Sequence, residues 1–319
     1  MKGELLVAEW LSTPWAMRRD VLSAQARVIA GWLNKGGVGA GEQLLAMDDE
    51  DDRPRVPVFE ARRREANARV GGTGIAVVPV FGTIVQRAGM MTEWCGGSST
   101  NQVSAAIRQA LADDTVSQIL MEFDTPGGSV YGVSELGDEI AQAAKSKPVI
   151  GIANSLSASA GYWLGSQCNE FYVTPGGEVG SIGVYMAHED WSRALEESGI
   201  TTTFVSAGKH KTEGNPYQPL DDEAKAFLQS RVNDYYSAFT RAVARGRNVS
   251  VDQVRGGMGE GRVLGAQQAL AEKMVDGVMT IDQVVRNMQR TSAKPAAPAA
   301  GRNALAASQR RLKLAQLEN

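Results

Sequence analysis

Apolar residues recur along this chain in two periods, and the switching between them outlines most of a fold. Ile75–Phe81, reading IAVVPVF, is an apolar run of strand length, with Pro79 pointing to an edge or a bulge. Gly82–Gly97 reads as a loop rich in glycine and methionine. Thr100–Ala112 takes the helical period, with Val103, Ala106, Ile107 and Leu111 on one side and Asp113 and Asp114 closing it. Val116–Phe123 reads as a strand, Asp124–Ser129 as a sharp turn, Val133–Ala144 as a helix and Val149–Ala153 as a strand. A helix follows Ser159, then a strand at Glu170–Val173 and a glycine-rich turn at Pro175–Val184. Strand and helix in regular succession predict an α/β fold, a sheet with right-handed crossovers. Further on, the pattern predicts a helix at Trp191–Ser198, a strand at Thr202–Ser206 and a polar loop at Lys209–Pro219. Asp221–Arg245 reads as a long helix with acids at its start and Gly246 just after it. Short helices at Val251–Val254 and Gln267–Lys273 precede a last element at Ile281–Met288.

The flanks read differently. Met1–Gly39 has helical spacing in Trp15, Leu22, Val28, Ile29 and Trp32, with Ser12 or Thr13 as cap and Pro14 at a first-turn position. Asp48–Arg55, DDEDDRPR, is a charge run, and Arg62–Arg69 a basic helical patch expected to face solvent. The division expected is a helical region over 1–47, a charged linker over 48–73, a main domain over 74–289, and a tail over 290–319. That tail is an Ala/Pro-rich linker followed by a short amphipathic helix at Asn303–Leu317.

Composition narrows the classes. With 319 residues, 43% of them hydrophobic, the chain can bury a sizeable core. A formal net charge of -3 gives no basic signature for nucleic acid. Two cysteines, Cys95 and Cys168, make no disulfide framework or CxxC pair, and two histidines are too few for most zinc sites. No metal and no cofactor are expected. No apolar run approaches membrane-spanning length, and Glu4 and Glu9 interrupt the N-terminal apolar stretch, so a soluble protein of the cytoplasm is expected.

The candidate chemistry centres on Ser155–Trp163, SLSASAGYW. Small residues crowded round a hydroxyl fit a tight strand-to-helix turn in which backbone N–H groups face a reacting carbonyl, with Ser159 as nucleophile. They equally fit a small-residue helix packed closely on a sheet. A serine nucleophile needs a base. His188 and His210 are the only histidines, and Lys209 and Lys211 lie in a polar loop; a lysine serves only where its surroundings keep it neutral. Pro126, Gly127 and Gly128 in DTPGGS let the backbone approach a ligand, making the N–H groups of Gly128 and Ala160 candidate oxyanion donors.

These pieces occur together with further ones in a recognisable order. DTPGGSV (124–130), SASAGYW (157–163), GEVGSIGV (177–184), SAGKHKTEGNPYQPL (206–220) and GRVLGAQQALAEKMVDGV (261–278) resemble the signal peptide peptidase A family of serine–lysine proteases in its single-repeat form, over about Ile75–Gly277. The resemblance implies a Clp/crotonase-type fold of stacked βαβ units. It puts the nucleophile at Ser159, the general base at Lys211 with Lys209 as rival, and the oxyanion donors at Gly128 and Ala160. Many members have glycine where this chain has Ala160. Ser181 corresponds to a position that supports the lysine. The family also implies homo-oligomeric rings in which neighbouring subunits shape the substrate groove. Without a membrane anchor, and with its N-terminal region and Ala/Pro tail, the chain resembles the capsid maturation proteases of tailed bacteriophages. Their implied substrates are scaffold, portal or coat segments, and their setting the host cytoplasm or the procapsid interior. A bacterial quality-control peptidase, an acyl-CoA enzyme of the same fold and a non-catalytic assembly factor are the alternatives.

Overall fold

The structure, a computed structural model, describes residues 14–18, 57–89, 92 and 96–292. In chain order it comprises β1 (Trp15–Met17), α1 (Val58–Arg69), β2 (Ile75–Phe81), β3 (Ile84–Val85), β4 (Ser98–Ser99), α2 (Thr100–Ala112) and β5 (Gln118–Thr125). Then come β6 (Gly127–Ser129), α3 (Val133–Ala143), β7 (Val149–Ala158), α4 (Ala160–Gly165), β8 (Glu170–Val173), β9 (Glu178–Gly180), α5 (Ser192–Glu197) and α6 (Asp222–Arg247). The last elements are α7 (Val251–Gly256), β10 (Val263–Gly265), α8 (Ala266–Ala271), β11 (Gly277–Val278) and α9 (Ile281–Ser292).

The α/β expectation holds. The main sheet runs β10–β9–β7–β5–β2, with β8 on β7 and β11 on β8, and only the β9–β10 pairing is antiparallel. Alternate residues of its strands enter opposite layers. Ile119, Met121 and Phe123 pack with residues of α2 and α3, while Leu120, Ile150 and Ile152 pack with residues of α1 and α9. β7 changes partner along its length: Ile150–Ala153 pair with β8, and Leu156–Ala158 with β9. A second, smaller sheet runs β1–β6–β3–β4. Pro79 sits on β2, the edge strand, where its missing N–H does least harm.

Four expectations are corrected. Thr202–Ser206 is not a strand; its β-branched run finds no partner edge, and Val205 is 98% exposed. Arg62–Arg69 is helical as expected, but its helix α1 starts earlier, at Val58, and does not simply face solvent. Phe59 and Ala66 bury one side of that helix, and Asn67 bonds both the N–H and the C=O of Val77, covering part of the β2 edge. Asp124–Ser129 is more than a turn: after Pro126 the glycine pair enters β6. Helix over Met1–Gly39 fails at Trp15–Met17, which form β1 against β6; partner strands outweigh a local capping signal there. The rest of that helix, the Asp48–Arg55 run and the Asn303–Leu317 helix lie outside the described residues.

A polar clamp ties the C-terminal elements to β8. The Arg247 guanidinium, only 6% exposed, donates to both Asp276 carboxylate oxygens at 2.8 and 2.9 Å and to the Lys273 carbonyl, while Asp276 accepts from the Phe171 N–H. Burial opposes the Asp276 charge, but the Arg247 and Phe171 hydrogen bonds outweigh it and hold the carboxyl below its ordinary range. Arg247→Ala should cost about 2–3 kcal/mol by urea denaturation at pH 7, the low end for a buried pair because Asp276 is 39% exposed. A lowered carboxyl stabilises above its unfolded value and loses that contribution as pH falls through its folded one. The wild-type advantage over the variant should therefore shrink below about pH 4.

Candidate active site

β7 ends at Ala158 and α4 begins at Ala160, so Ser159 is the junction. Its backbone sits at φ 54° and ψ −116°, a conformation that costs a non-glycine residue on the order of 1–3 kcal/mol and persists only where the surroundings impose it. The Ser159 N–H donates to the Gly180 carbonyl at 2.6 Å, and its carbonyl accepts from Trp163 N–H at 2.9 Å. The hydroxyl lies 3.4 Å from the Gly183 carbonyl, a long contact for a hydroxyl donor.

Packing explains the small residues around it. A Cβ on Gly161 would run into the Thr125 methyl, and one on Gly165 would lie 2.6 Å from the Phe171 ring. α4 therefore lies flat on the sheet, with Trp163 stacked on Phe239 at 4.6 Å and the Tyr162 hydroxyl donating to the Met274 carbonyl. The small-residue-helix reading is thus correct for Gly161 and Gly165. It leaves the strained, buried Ser159 unexplained. Ser155 and Ser157 belong to β7 rather than to a turn or a helix start, and the Ser157 hydroxyl is buried without a hydrogen-bond partner.

Gly127 and Gly128 come alongside. A Cβ on Gly127 would lie 2.9 Å from the Ser159 Cβ, so only a glycine allows this approach. The Thr125 hydroxyl accepts from Gly127 N–H at 3.1 Å and fixes the turn. A Cβ on Gly128 would collide with the Ile84 backbone carbonyl. Gly128→Ala is therefore expected to destabilise the fold by about 1–3 kcal/mol, read as a shift in the urea midpoint. Ala160 N–H opens α4, among the amides that a helix's own ladder leaves unpaired.

None of the candidate bases is hydrogen-bonded to Ser159. Residues 199–211 are exposed throughout, and Lys211 is among them. No hydrogen bond joins Lys211 to Ser159 or Ser181 in this structure. Lys209 is ion-paired to Glu223 at 2.7 Å, and that bond raises its pKa, the wrong direction for a base. His188 bonds the Asn215 carbonyl and His210 bonds Glu213, so neither contacts Ser159. Ser181, at φ 54°, follows the Gly180 that holds the Ser159 amide and donates its N–H to the Arg262 carbonyl. Burial pushes the Cys168 thiol up to about 12, so it is no thiolate nucleophile at neutral pH. Among the described residues no three His, Cys, Asp or Glu side chains are grouped to hold a metal. The sequence reading missed β1, which lies against the Gly127–Ser129 strand with Trp15 bridging to Tyr185.

Peptidase family S49 matches residues 141–294. The chain is 35% identical over 245 residues to capsid assembly protease C of Escherichia phage lambda, covering 77% of this chain and 53% of that protein. It is 34% identical over 215 residues to head-tail preconnector protein GP5 of Enterobacteria phage P21, covering 67% and 42%. It is 24% identical over 216 residues to the chloroplastic serine protease SPPA of Arabidopsis thaliana, covering 67% and 32%. The chain thus spans about half, or less, of the length of these relatives. The segment that matches peptidase family S49 carries Ser159, Ser181 and Lys211.

Proposed function

We propose that the chain is a serine endopeptidase that cuts capsid-related proteins during phage head assembly. The observation that carries the chemistry is Ser159, held at φ 54° at a strand-to-helix junction beside Gly127 and Gly128. In this reading the Ser159 Oγ attacks a peptide carbonyl, and the N–H groups of Gly128 and Ala160 stabilise the oxyanion. Lys211 takes the serine proton, the acyl-enzyme forms, and water releases it. Lys209 is the weaker candidate because Glu223 already holds its ammonium. Ser181 positions the lysine.

Lys211 reaches the serine when the 199–211 loop is covered. Ile200, Phe204 and Val205 are large apolar side chains exposed on that loop, which favours cover by another copy in a homo-oligomeric ring or by bound substrate. The setting follows from the printed names of the two phage relatives, a capsid assembly protease and a head-tail preconnector. No described helix is long and apolar enough to cross a membrane, which agrees with action inside a procapsid. The test is incubation of the protein with the coat, portal and scaffold proteins encoded beside it, followed by mass-spectrometric mapping of new termini. New termini that depend on Ser159 support the reading; an unchanged set of substrates sinks the capsid assignment.

A further inference from the structure

The strand β1 occupies an unusual place. Trp15, Ala16 and Met17 are each no more than 2% exposed, and they lie antiparallel to Gly127–Ser129, the strand that holds the oxyanion glycine. On its other side Trp15 exchanges both backbone hydrogen bonds with Tyr185, at 3.0 and 3.1 Å. The segment is therefore held between two stretches of backbone, as an extended peptide is held by strand addition.

The register places one carbonyl at the reacting position. Arg18 N–H donates to the Pro126 carbonyl at 3.0 Å, and Val130 N–H to the Pro14 carbonyl at 3.5 Å. Hydrogen-bonded rungs alternate in an antiparallel pair, so the rung between these two is Ala16 opposite Gly128. There the Ala16 carbonyl faces the Gly128 N–H. The same carbonyl oxygen crowds the point where a Gly127 Cβ would sit, and that point is 2.9 Å from the Ser159 Cβ. Ala16 itself is fully buried, so this position accommodates a methyl group. Beyond it Arg18 lies 3.9 Å from Glu178.

We propose that Pro14–Arg18 is a substrate carried in cis, which Ser159 cuts at the Ala16–Met17 bond; this rests on the serine peptidase reading above. Ser159 Oγ bonds to the Ala16 carbonyl carbon while its proton passes to the base. The Ala16–Met17 C–N bond breaks, and that proton goes to the Met17 amine. Water then cleaves the ester, releasing residues 1–16 with a free carboxylate and restoring the serine hydroxyl. Until this happens the groove is filled, and afterwards it admits other chains with a small residue opposite Gly128.

The experiment follows intact mass and N-terminal sequence during incubation of full-length wild type, Ser159→Ala and Ala16→Tyr, with unfolded casein added to a parallel set. The expected result is a new N-terminus at Met17 in wild type, none in Ser159→Ala, and at least tenfold slower appearance in Ala16→Tyr. A wild-type chain that digests casein yet keeps residues 1–16 overturns the cis-substrate proposal and leaves the peptidase reading standing. Cleavage at the same bond in Ser159→Ala overturns it too, as does an unchanged rate in Ala16→Tyr. Failure of wild type to cut either itself or casein overturns the peptidase reading, and the proposal with it.

Discussion

Ser159→Ala should lower peptide-bond hydrolysis by on the order of 10⁴-fold or more, while leaving the folded state nearly as stable as wild type. In the proposed mechanism the loss follows from removing the atom that forms the acyl bond. What remains is binding and the oxyanion amides, which alone give slow turnover. The small effect on stability follows from the geometry. Alanine meets the same backbone cost at φ 54° as serine, because both carry a Cβ. The hydroxyl gives up only a 3.4 Å contact to the Gly183 carbonyl. The check is kcat/KM on a fluorogenic peptide alongside a thermal melt. Retained hydrolysis with an unchanged melt would remove Ser159 from the mechanism.

Lys211→Ala should cost about 10²–10⁴-fold in kcat/KM, the range of a lost general base, with stability unchanged because the side chain is exposed. Lys209→Ala is the control. Its amine is bound to Glu223 on the surface, so activity should stay close to wild type. The pH profile separates a base from a bystander. A base must be neutral to accept the proton, so wild-type kcat/KM should show an acid-side fall that disappears with the base. Lys211→Ala should lose that limb. Full activity in Lys211→Ala with loss in Lys209→Ala would move the base by two residues.

The legible parts of this fold are those where the side-chain period reports burial directly. Thr100–Ala112 is a helix over the range its pattern predicts, and Ser99 closes it with a capping box to Gln102. Glu170–Val173 and the long helix after Asp221 fall where expected, the latter capped by the Asp221 side chain. Where partner strands decide, the pattern misleads. Trp15–Met17 carry a helix-start signal in Pro14 but pair with residues more than a hundred positions away. Thr202–Ser206 have strand composition and no strand to join. In α1 the density of charge hid the few apolar residues that bury it.

The site divides in the same way. The tight junction at Ser159 and the close approach of Gly127 and Gly128 were visible because close approach demands small residues, and those leave a mark in the sequence. That no hydrogen bond joins Lys211 to Ser159 was not visible, since Lys211 lies on an exposed loop whose contacts its own residues do not determine.

The strand Trp15–Met17 has a practical consequence. Because Ala16 is covalently part of each polypeptide, the proposed cut at Ala16–Met17 would be stoichiometric. One molar equivalent of the 1–16 peptide would appear per competent serine, as a burst that precedes any turnover of added protein. The size of that burst counts working sites in a preparation without an external titrant.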